Sequence, residues 1–342
     1  MEYFVIGTAS FILGLILVPL AMKVAGIYGV VDKPGGKLKK HKKPVPYLGG
    51  LAIFLAFAIP VIAAKLILHQ SLYGVVGIMA GATIMVVMGL IDDIKGLTPY
   101  VKMAVQLVTA LIIIKVNMNI KFMDNNILNM MLTVIWVVGI TNAMNLLDIM
   151  DGLAGGVAAA ASAAFFAAAY LAGRTNNMIP AIALFGALCA FLVYNWKPAK
   201  IYMGDAGSLF LGFMMASLAL NESYSRTNFV SVLSPLLILG VPIFDTFLVM
   251  MIRMGKGVLP IYGSNDHTAQ RLLMMGFSKQ GAVLAMIGMT VLLSALAIAG
   301  TFMKINSATL LYLGVAVAGM MLAMLIASVD MKNYHKVVHK KR

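Results

Sequence analysis

The sequence has few charged residues, few histidines and a single cysteine. Lys, Arg, Asp and Glu make up only 11% of the 342 residues, whereas about a quarter of an ordinary soluble domain is charged. Hydrophobic residues make up 61% and the mean hydropathy is +0.95, which excludes a soluble globular protein. Because Cys189 stands alone, an intrachain disulfide and a cysteine-rich metal site are excluded as well. The composition therefore describes an integral membrane protein.

Long apolar runs recur along the chain, close to the length of about 20 residues that crosses a bilayer as a helix. The eleven runs lie near residues 2–22, 47–68, 73–91, 100–116, 128–143, 153–172, 178–194, 207–220, 228–250, 281–303 and 308–328. The first run starts with Glu2 rather than with basic residues and no clear cleavage site follows it, so we expect a permanent anchor and not a signal peptide. The sequence predicts an all-α polytopic membrane bundle of about eleven transmembrane helices. This bundle would form one domain, 1–342, with a basic tail at 331–342.

The distribution of basic residues predicts the orientation. Cytoplasmic segments of membrane proteins carry an excess of Lys and Arg. An N-terminus outside and a C-terminus in the cytoplasm would place twenty of the twenty-six Lys and Arg residues on the inside. We therefore expect a multi-pass membrane protein in this orientation. The net charge is +14. The basic residues flank apolar runs and have no aromatic residues interleaved with them, so they predict contact with anionic lipid headgroups and no binding of nucleic acid.

The twelve acidic residues are unevenly placed, and in this orientation nine of them lie inside. Most of the nine adjoin the end of an apolar run, in the segments GLIDDIKGL, NLLDIMDGL, YMGDAGS and PIFDTF. Carboxylates that converge repel one another unless a cation lies among them. Oxygen ligands favour Mg²⁺, with Mn²⁺ as a substitute, and the zinc-type clusters of His and Cys are absent from the sequence. We therefore expect a divalent metal site on the inner face.

The segment NAMNLLDIMDGLAGG spaces two amides and two carboxylates three residues apart, at Asn142, Asn145, Asp148 and Asp151. At about 100° per residue, one regular helix cannot direct all four side chains to one point. We therefore expect part of this segment to be unwound, which the glycines that follow would allow. Asp151 taken alone is explained equally well as a helix cap.

Two further segments suggest phosphate contacts. GDAGS at 204–208 places small residues around Asp205 just before an apolar run, where a helix N-terminus favours anions. A plain helix start capped by Asp205 is the alternative. His267 and Arg271 are four residues apart, so on a helix they would share a face and could bind phosphate. His41 lies in a basic loop, where a topology signal explains it at least as well as substrate contact.

Six motifs between residues 31 and 277 resemble, in order, those of the polyprenyl-phosphate N-acetylhexosamine-1-phosphate transferases. They are VDKPGGKLKKHKKPVPYLGG, GLIDDIKGLTPYVK, NAMNLLDIMDGLAGG, IYMGDAGS, VPIFDT and DHTAQRL. The resemblance implies a bundle of ten or eleven helices with a cytoplasmic active site. It also implies Mg²⁺-dependent transfer of a sugar 1-phosphate from a UDP-sugar to a polyprenyl phosphate, with release of UMP. The resemblance further implies a multi-pass protein of a bacterial inner (plasma) membrane, and a homodimer is left open.

Within this family, the motifs resemble most closely the branch that uses UDP-N-acetylglucosamine and undecaprenyl phosphate. That branch starts the synthesis of O-antigen, common antigen or teichoic acid. The peptidoglycan branch usually carries a His-His-His run where this chain reads HTAQRL. Ala269 and Gln270 replace two histidines of the nearer relatives, and Ile149 stands where the family usually has Gly. Another UDP-N-acetylhexosamine therefore remains the alternative donor.

The resemblance also implies roles for single residues. The catalytic acids would be Asp92, Asp93, Asp148 and Asp151. The substrate-binding residues would be Lys102, Asn145, Tyr202, His267, Arg271 and His41. The metal ligands would be Asp205 and Asn145.

A secondary transporter and a non-catalytic scaffold are the alternatives to a transferase. A secondary transporter would place its acids near the membrane midplane within inverted repeats, whereas these acids gather at one face and the sequence shows no repeat. A non-catalytic scaffold would not need metal-type acid clusters, and it would be favoured only if the clusters lay far apart.

Overall fold

The structure is a computed structural model that describes residues 2–32, 44–69, 73–121, 123–220, 229–257, 266–331 and 334. Within these ranges the chain forms thirteen α-helices, one 3-10 helix and one small two-stranded sheet. The predicted all-helical class is confirmed. The chain divides into two compact units, Met1–Glu222 and Ser223–Arg342. A single domain over the whole chain stays a prediction.

The first unit contains eight helices and both strands. The helices are α1 (Glu2–Tyr28), α2 (Gly49–Ile67), α3 (Tyr73–Lys95), α4 (Pro99–Lys115), α5 (Asn126–Leu147), α6 (Leu153–Ala172), α7 (Thr175–Asn195) and α8 (Gly204–Leu220). Strands β1 (Val31–Asp32) and β2 (Val45–Pro46) pair antiparallel, with Val31 opposite Pro46.

Helix α8 forms the centre of this unit. It contacts α2, α3, α5 and α6, and every residue in it is buried except Asp205 and Leu220. A helix that is apolar on all sides is stable only when neighbours surround it. The burial of α8 therefore fixes the position of its first turn, which carries the segment GDAGS.

The second unit contains the remaining helices. They are a 3-10 helix (Phe229–Leu233), α9 (Ser234–Ile238), α10 (Gly240–Gly255), α11 (Thr268–Met274), α12 (Lys279–Phe302) and α13 (Ile305–Ala327). The segments Val230–Ile238 and Gly240–Gly255 meet at a bend of 75°. Hydroxyl groups are buried beside this bend, where Ser234 Oγ lies 2.8 Å from the Tyr312 hydroxyl.

Among the described residues, eight helices are long and apolar enough to cross a membrane, or nine if the bent pair counts as one span. Each predicted apolar run coincides with a helix or with this bent pair, but eleven spans are not confirmed. Helices α4 and α8 have 17 residues each, which gives a length of about 26 Å. That is short of the roughly 30 Å of a bilayer's hydrocarbon core.

Glycine allows α8 and α5 to approach closely. A Cβ atom added to Gly212 would lie 2.5 Å from Thr141 Cα and 2.7 Å from Thr141 O, which are backbone atoms that cannot rotate away. A Cβ atom added to Gly139, on α5, would have no other heavy atom within 4 Å. Close backbone contact at small residues is the usual way in which membrane helices associate.

We expect Gly212→Ala to destabilise the protein and Gly139→Ala to leave it unchanged or slightly more stable. The first substitution forces α8 away from α5, at a cost of about 1–3 kcal/mol, whereas the second only adds helix propensity. The melting temperatures of the two purified variants in detergent, compared with the wild type, measure the difference. Equal melting temperatures would contradict the packing described here.

Candidate active site

Helices α3, α4, α5 and α8 bring together five of the residues predicted for the site: Asp92, Asp93, Lys102, Asn145 and Asp205, here called the acidic cluster. Lys102, in the first turn of α4, forms ion pairs with two carboxylates of this cluster. Its Nζ contacts Asp92 and lies 2.6 Å from Asp205 Oδ2. The side chain of Asp92 is 6% exposed, whereas that of Asp205 is 32% exposed. A ligand can therefore reach the cluster on the Asp205 side.

The neighbouring acids Asp92 and Asp93 have different partners. Asp92 accepts the Leu97 N–H and the ion pair with Lys102. Asp93 accepts the backbone N–H groups of Asp205, at 2.8 Å, and of Ala206, at 3.1 Å. Adjacent residues of a helix point about 100° apart, which agrees with the different partners of the two carboxylates. Asp93 supplies acceptors and negative charge to the free N–H groups at the start of α8.

Asn145 links α5 to the first turn of α8. Its Nδ2 donates to Asp205 Oδ1, at 3.0 Å, and to Ser208 Oγ, at 2.8 Å. Since the amide nitrogen is used in this way, the amide oxygen is the atom that could ligate a cation.

The donor set of this cluster fits Mg²⁺. Among the described residues, no group of three or more His, Cys, Asp or Glu forms a complete metal site. Mg²⁺ is usually held by one or two protein oxygens together with water and substrate phosphates. Asp205 and Asn145 could provide two such oxygens beside the ammonium group of Lys102.

The predicted unwinding between α5 and α6 is confirmed. Helix α5 ends at Leu147, Asp148 caps it, and α6 starts at Leu153. Gly152 has φ +79°, a left-handed conformation that glycine adopts without strain. Because of this turn, Asp148 and Asp151 lie outside the helix that carries Asn145.

Two side chains tie this turn to the segment that precedes α8. Asp151 Oδ2 accepts the Ala199 N–H at 3.1 Å. Asn195, at the end of α7, accepts the Gly152 N–H at 2.9 Å and donates to the Ile201 carbonyl at 2.8 Å. Asn195 was not predicted as a site residue. A polar residue at the end of an apolar run was the only signal for it.

A second amide pair holds the helices that carry Lys102 and Asn145. Asn142 Nδ2 donates to Gln106 Oε1 at 2.7 Å, and Gln106 Nε2 donates to Asn142 Oδ1 at 3.3 Å. Gln106 lies one turn after Lys102 on α4, and Asn142 lies one turn before Asn145 on α5. The pair therefore fixes the two helices against each other next to the acidic cluster.

Tyr202, one of the predicted substrate-binding residues, packs against Tyr47 beside strand β2. Their ring centroids are 6.0 Å apart and the rings are tilted by 47°. Burial, together with the charges of Asp151, Asp32 and Asp148, raises the pKa of Tyr202 to about 12. Tyr202 is therefore a neutral aromatic ring at physiological pH.

In the second unit, the start of α11 carries a compact polar group: Asp245, Lys256, Asp266, His267 and Arg271, here called the α11 cluster. His267 is the N-cap of α11, and its Nδ1 lies 2.8 Å from Asp245 Oδ2. Asp266 accepts from Lys256 Nζ at 2.9 Å and from Arg271 at 2.8 Å. Although burial acts in the opposite direction, these two cations hold the pKa of Asp266 below its usual value.

Arg271 is 2% exposed and its guanidinium group is used within the unit. It donates to Asp266, and its Nη1 also donates to the carbonyls of Ile326, Ala327 and Val329, at 3.0–3.1 Å, at the end of α13. The side chains of His267 and Arg271 therefore have separate partners, and a shared phosphate stays a prediction. His41, the remaining predicted residue, lies outside the described residues.

Comparison with known proteins agrees with this geometry. The sequence model of glycosyl transferase family 4 matches residues 75–222, the range that holds the acidic cluster. A protein of Bacillus subtilis (strain 168) named "Probable undecaprenyl-phosphate N-acetylglucosaminyl 1-phosphate transferase" is 34% identical over 293 residues, which cover 82% of this chain and 81% of the relative. The chain belongs to glycosyl transferase family 4. The resemblance inferred from the six motifs is confirmed.

Two further relatives of this family 4 chain are more distant. A decaprenyl-phosphate N-acetylglucosaminephosphotransferase of Mycolicibacterium smegmatis is 29% identical over 81% of this chain and 77% of the relative. An undecaprenyl-phosphate alpha-N-acetylglucosaminyl 1-phosphate transferase of Escherichia coli (strain K12) is 27% identical over 80% of this chain and 77% of the relative. All three names include a polyprenyl phosphate and N-acetylglucosamine.

The environment of Asp148 predicts a pH-dependent stability. Burial, with the charges of Asp205, Asp93 and Asp151, raises the pKa of Asp148 from 3.8 to about 7. Folding therefore disfavours the ionised carboxylate, and this cost grows as the pH rises from about 4 to the folded-state pKa. In buffer with EDTA, Asp148→Asn should melt at a higher temperature than the wild type at pH 8, and the two should converge near pH 4. A difference that does not vary with pH would contradict this environment.

Proposed function

We propose that this chain transfers N-acetylglucosamine 1-phosphate from UDP-N-acetylglucosamine to undecaprenyl phosphate, with release of UMP. The observation that carries the proposal is the position of Lys102 between Asp92 and Asp205 at the start of α8. A cation among oxygen donors suits a diphosphate substrate. The names of the three relatives support N-acetylglucosamine phosphate as the transferred group and a polyprenyl phosphate as the acceptor. The product would start the synthesis of a cell-envelope polysaccharide.

The reaction forms one phosphorus–oxygen bond and breaks another. An oxygen of the lipid phosphate attacks the β-phosphorus of the UDP-sugar. The bond from that phosphorus to the oxygen that bridges the two phosphates then breaks, and UMP leaves with that oxygen. Both substrates are anionic, so the chain must bring them together and offset their charge. Lys102, held in place by Asp92 and Asp205, supplies one positive charge for this, and a bound metal would supply more.

The other residues of the acidic cluster have supporting roles. Asp92 positions the lipid phosphate through Lys102, or accepts its residual proton. Asp93 holds the N-terminus of α8, which fixes Asp205. Asp148 and Asp151, in the unwound turn, face the nucleotide, and Tyr202 offers a neutral ring to the base.

Mg²⁺ is the metal that we propose for this site, with Mn²⁺ as a substitute. Asp205 and the amide oxygen of Asn145 would hold it. When bound, the metal neutralises charge on the diphosphate of the donor. Ser208 and Asp205 keep the amide of Asn145 in place, because both accept its N–H groups.

The proposed setting is the inner (plasma) membrane. Eleven spans, an external N-terminus and a cytoplasmic C-terminus agree with the distribution of Lys and Arg. This orientation would place the acidic cluster on the cytoplasmic face, where UDP-sugars are available. A homodimer belongs to the proposal as well.

The purified protein in detergent should release UMP from UDP-N-acetylglucosamine only when undecaprenyl phosphate and Mg²⁺ are both present. Liquid chromatography of the nucleotide products measures this release. Release with a different UDP-N-acetylhexosamine alone would overturn the proposed donor. If every donor remained intact, the transferase assignment would fail and a transporter would have to be considered.

Asp205→Ala should lower the rate of UMP release at least 100-fold, because it removes a charged metal ligand and one partner of Lys102. Asp124→Ala is the matched control, since Asp124 is an exposed acid in a loop of the same unit. The control should keep the wild-type rate, and both variants should elute as folded protein. A wild-type rate in Asp205→Ala would rule out the proposed metal site.

A further inference from the structure

Lys102 lies against the carboxylate that the proposed metal would use. Its Nζ is 2.6 Å from Asp205 Oδ2 and also contacts Asp92. Asp205 Oδ1 accepts an amide N–H of Asn145 at 3.0 Å. Each oxygen of Asp205 therefore meets a donor, and the donor at Oδ2 carries a positive charge. A divalent cation bound by Asp205 would lie close to this ammonium group.

The position of Lys102 is fixed by its helix and by Asp92. Its backbone N–H donates to the Thr98 carbonyl at 3.2 Å in the first turn of α4, and Gln106 joins the same helix to α5. The carboxylate of Asp92 is buried. If the ammonium group turned away into solvent, Asp92 would lose this ion pair, which is costly for a buried charge. The ammonium group therefore stays near Asp205 when a metal binds.

The ammonium group and a metal at Asp205 would repel each other. Two like charges a few ångströms apart interact unfavourably in water, and more strongly at a partly buried site. A diphosphate changes this balance, because its oxygens can contact a metal and an ammonium group at the same time. The metal and the diphosphate should therefore strengthen each other's binding, whereas the metal without an anion should bind weakly.

We propose that Lys102 opposes the binding of metal at Asp205 until an anionic substrate is present. It thereby makes the metal and the diphosphate of the UDP-sugar bind cooperatively. This inference rests on the proposed function and deepens it, because it assigns a regulation of the proposed metal site. The coupling is reciprocal: the metal raises the affinity for the UDP-sugar by the same factor as the UDP-sugar raises the affinity for the metal.

Lys102→Met tests the role of the charge, since it removes the ammonium group and keeps an unbranched side chain. Electron paramagnetic resonance measures the binding of Mn²⁺ to the purified protein in the absence of substrate. The variant should bind Mn²⁺ about tenfold more tightly than the wild type, because Asp92 and Asp205 then face the metal without a competing cation. Equal or weaker binding by the folded variant would overturn the inference.

Lys95→Met is the matched control. Lys95 is an exposed residue at the end of α3, so the substitution makes the same change of net charge on a side chain in solvent. The affinity for Mn²⁺ should stay within twofold of the wild type. A gain equal to that of Lys102→Met would show that only the net charge of the protein matters, and would contradict a local role of Lys102.

The same titrations with saturating UDP-N-acetylglucosamine measure the coupling, after subtraction of the Mn²⁺ that this nucleotide binds without protein. The donor should raise the affinity of the wild type for Mn²⁺ at least tenfold. In Lys102→Met the gain should be at least threefold smaller, since only the direct contact between metal and phosphate remains. No gain in the wild type, which requires no variant to fold, would overturn the inference, as would an equal gain in both proteins.

Asp205→Ala separates the failure of this inference from the failure of the proposed function. If Asp205→Ala bound Mn²⁺ as well as the wild type, the proposed metal site would fail, and this inference with it. If Asp205→Ala bound Mn²⁺ weakly but Lys102→Met did not bind it more tightly, the metal site would stand and only the coupling would fail. Release of UMP by the wild type reports on the transfer reaction independently of these titrations.

Discussion

The first unit depends on how several carboxylates are kept together at the ends of apolar helices. Asp92, Asp93 and Asp205 converge where α3 ends and α8 begins, and their charges would drive these helices apart. Lys102 prevents this, since it forms ion pairs with two of the three acids. Asp93 is stabilised differently, by backbone N–H groups at the start of α8. The same contacts thus hold the helices together and, in the proposed reaction, would prepare a place for an anionic substrate.

Neutral amides connect this cluster to the surrounding helices. Asn145, Asn195 and the pair of Gln106 with Asn142 each bridge two elements. Asn145 donates to Asp205 and Ser208, whereas Asn195 and the Gln106–Asn142 pair both donate and accept hydrogen bonds. A side-chain amide can form its hydrogen bonds among apolar helices without the cost of burying a charge. If one partner is lost, the other is left without a hydrogen bond in a medium that offers no replacement. These amides therefore restrict how far the acidic cluster can move.

Much of the local structure around the cluster could be predicted from the sequence. Each apolar run became a helix or the bent pair, and the three-residue spacing of Asn145, Asp148 and Asp151 correctly indicated an unwound turn. The segment GDAGS begins a helix as expected. These features follow from helix periodicity and from the conformational freedom of glycine, which depend only on neighbouring residues.

Contacts between distant residues could not be predicted in the same way. Asp92 and Asp93 are neighbours in the sequence, but the sequence does not show that Asp92 contacts Lys102 and that Asp93 contacts the start of α8. Arg271 was expected to bind phosphate because of its spacing from His267, whereas its guanidinium group caps the end of α13, 55 to 58 residues further along the chain. The number of spans was also uncertain from the sequence, because α4 and α8 are apolar but short.

The measurement that tests the central claim most directly is the binding of Mn²⁺, in place of Mg²⁺, to the purified protein with UDP-N-acetylglucosamine. Electron paramagnetic resonance distinguishes free Mn²⁺ from bound Mn²⁺. If Asp205 and Asn145 hold the metal beside Lys102, the wild type should bind Mn²⁺ in the presence of the donor and Asp205→Ala should bind at least tenfold more weakly. Equal binding by the two proteins would contradict a metal site at the start of α8.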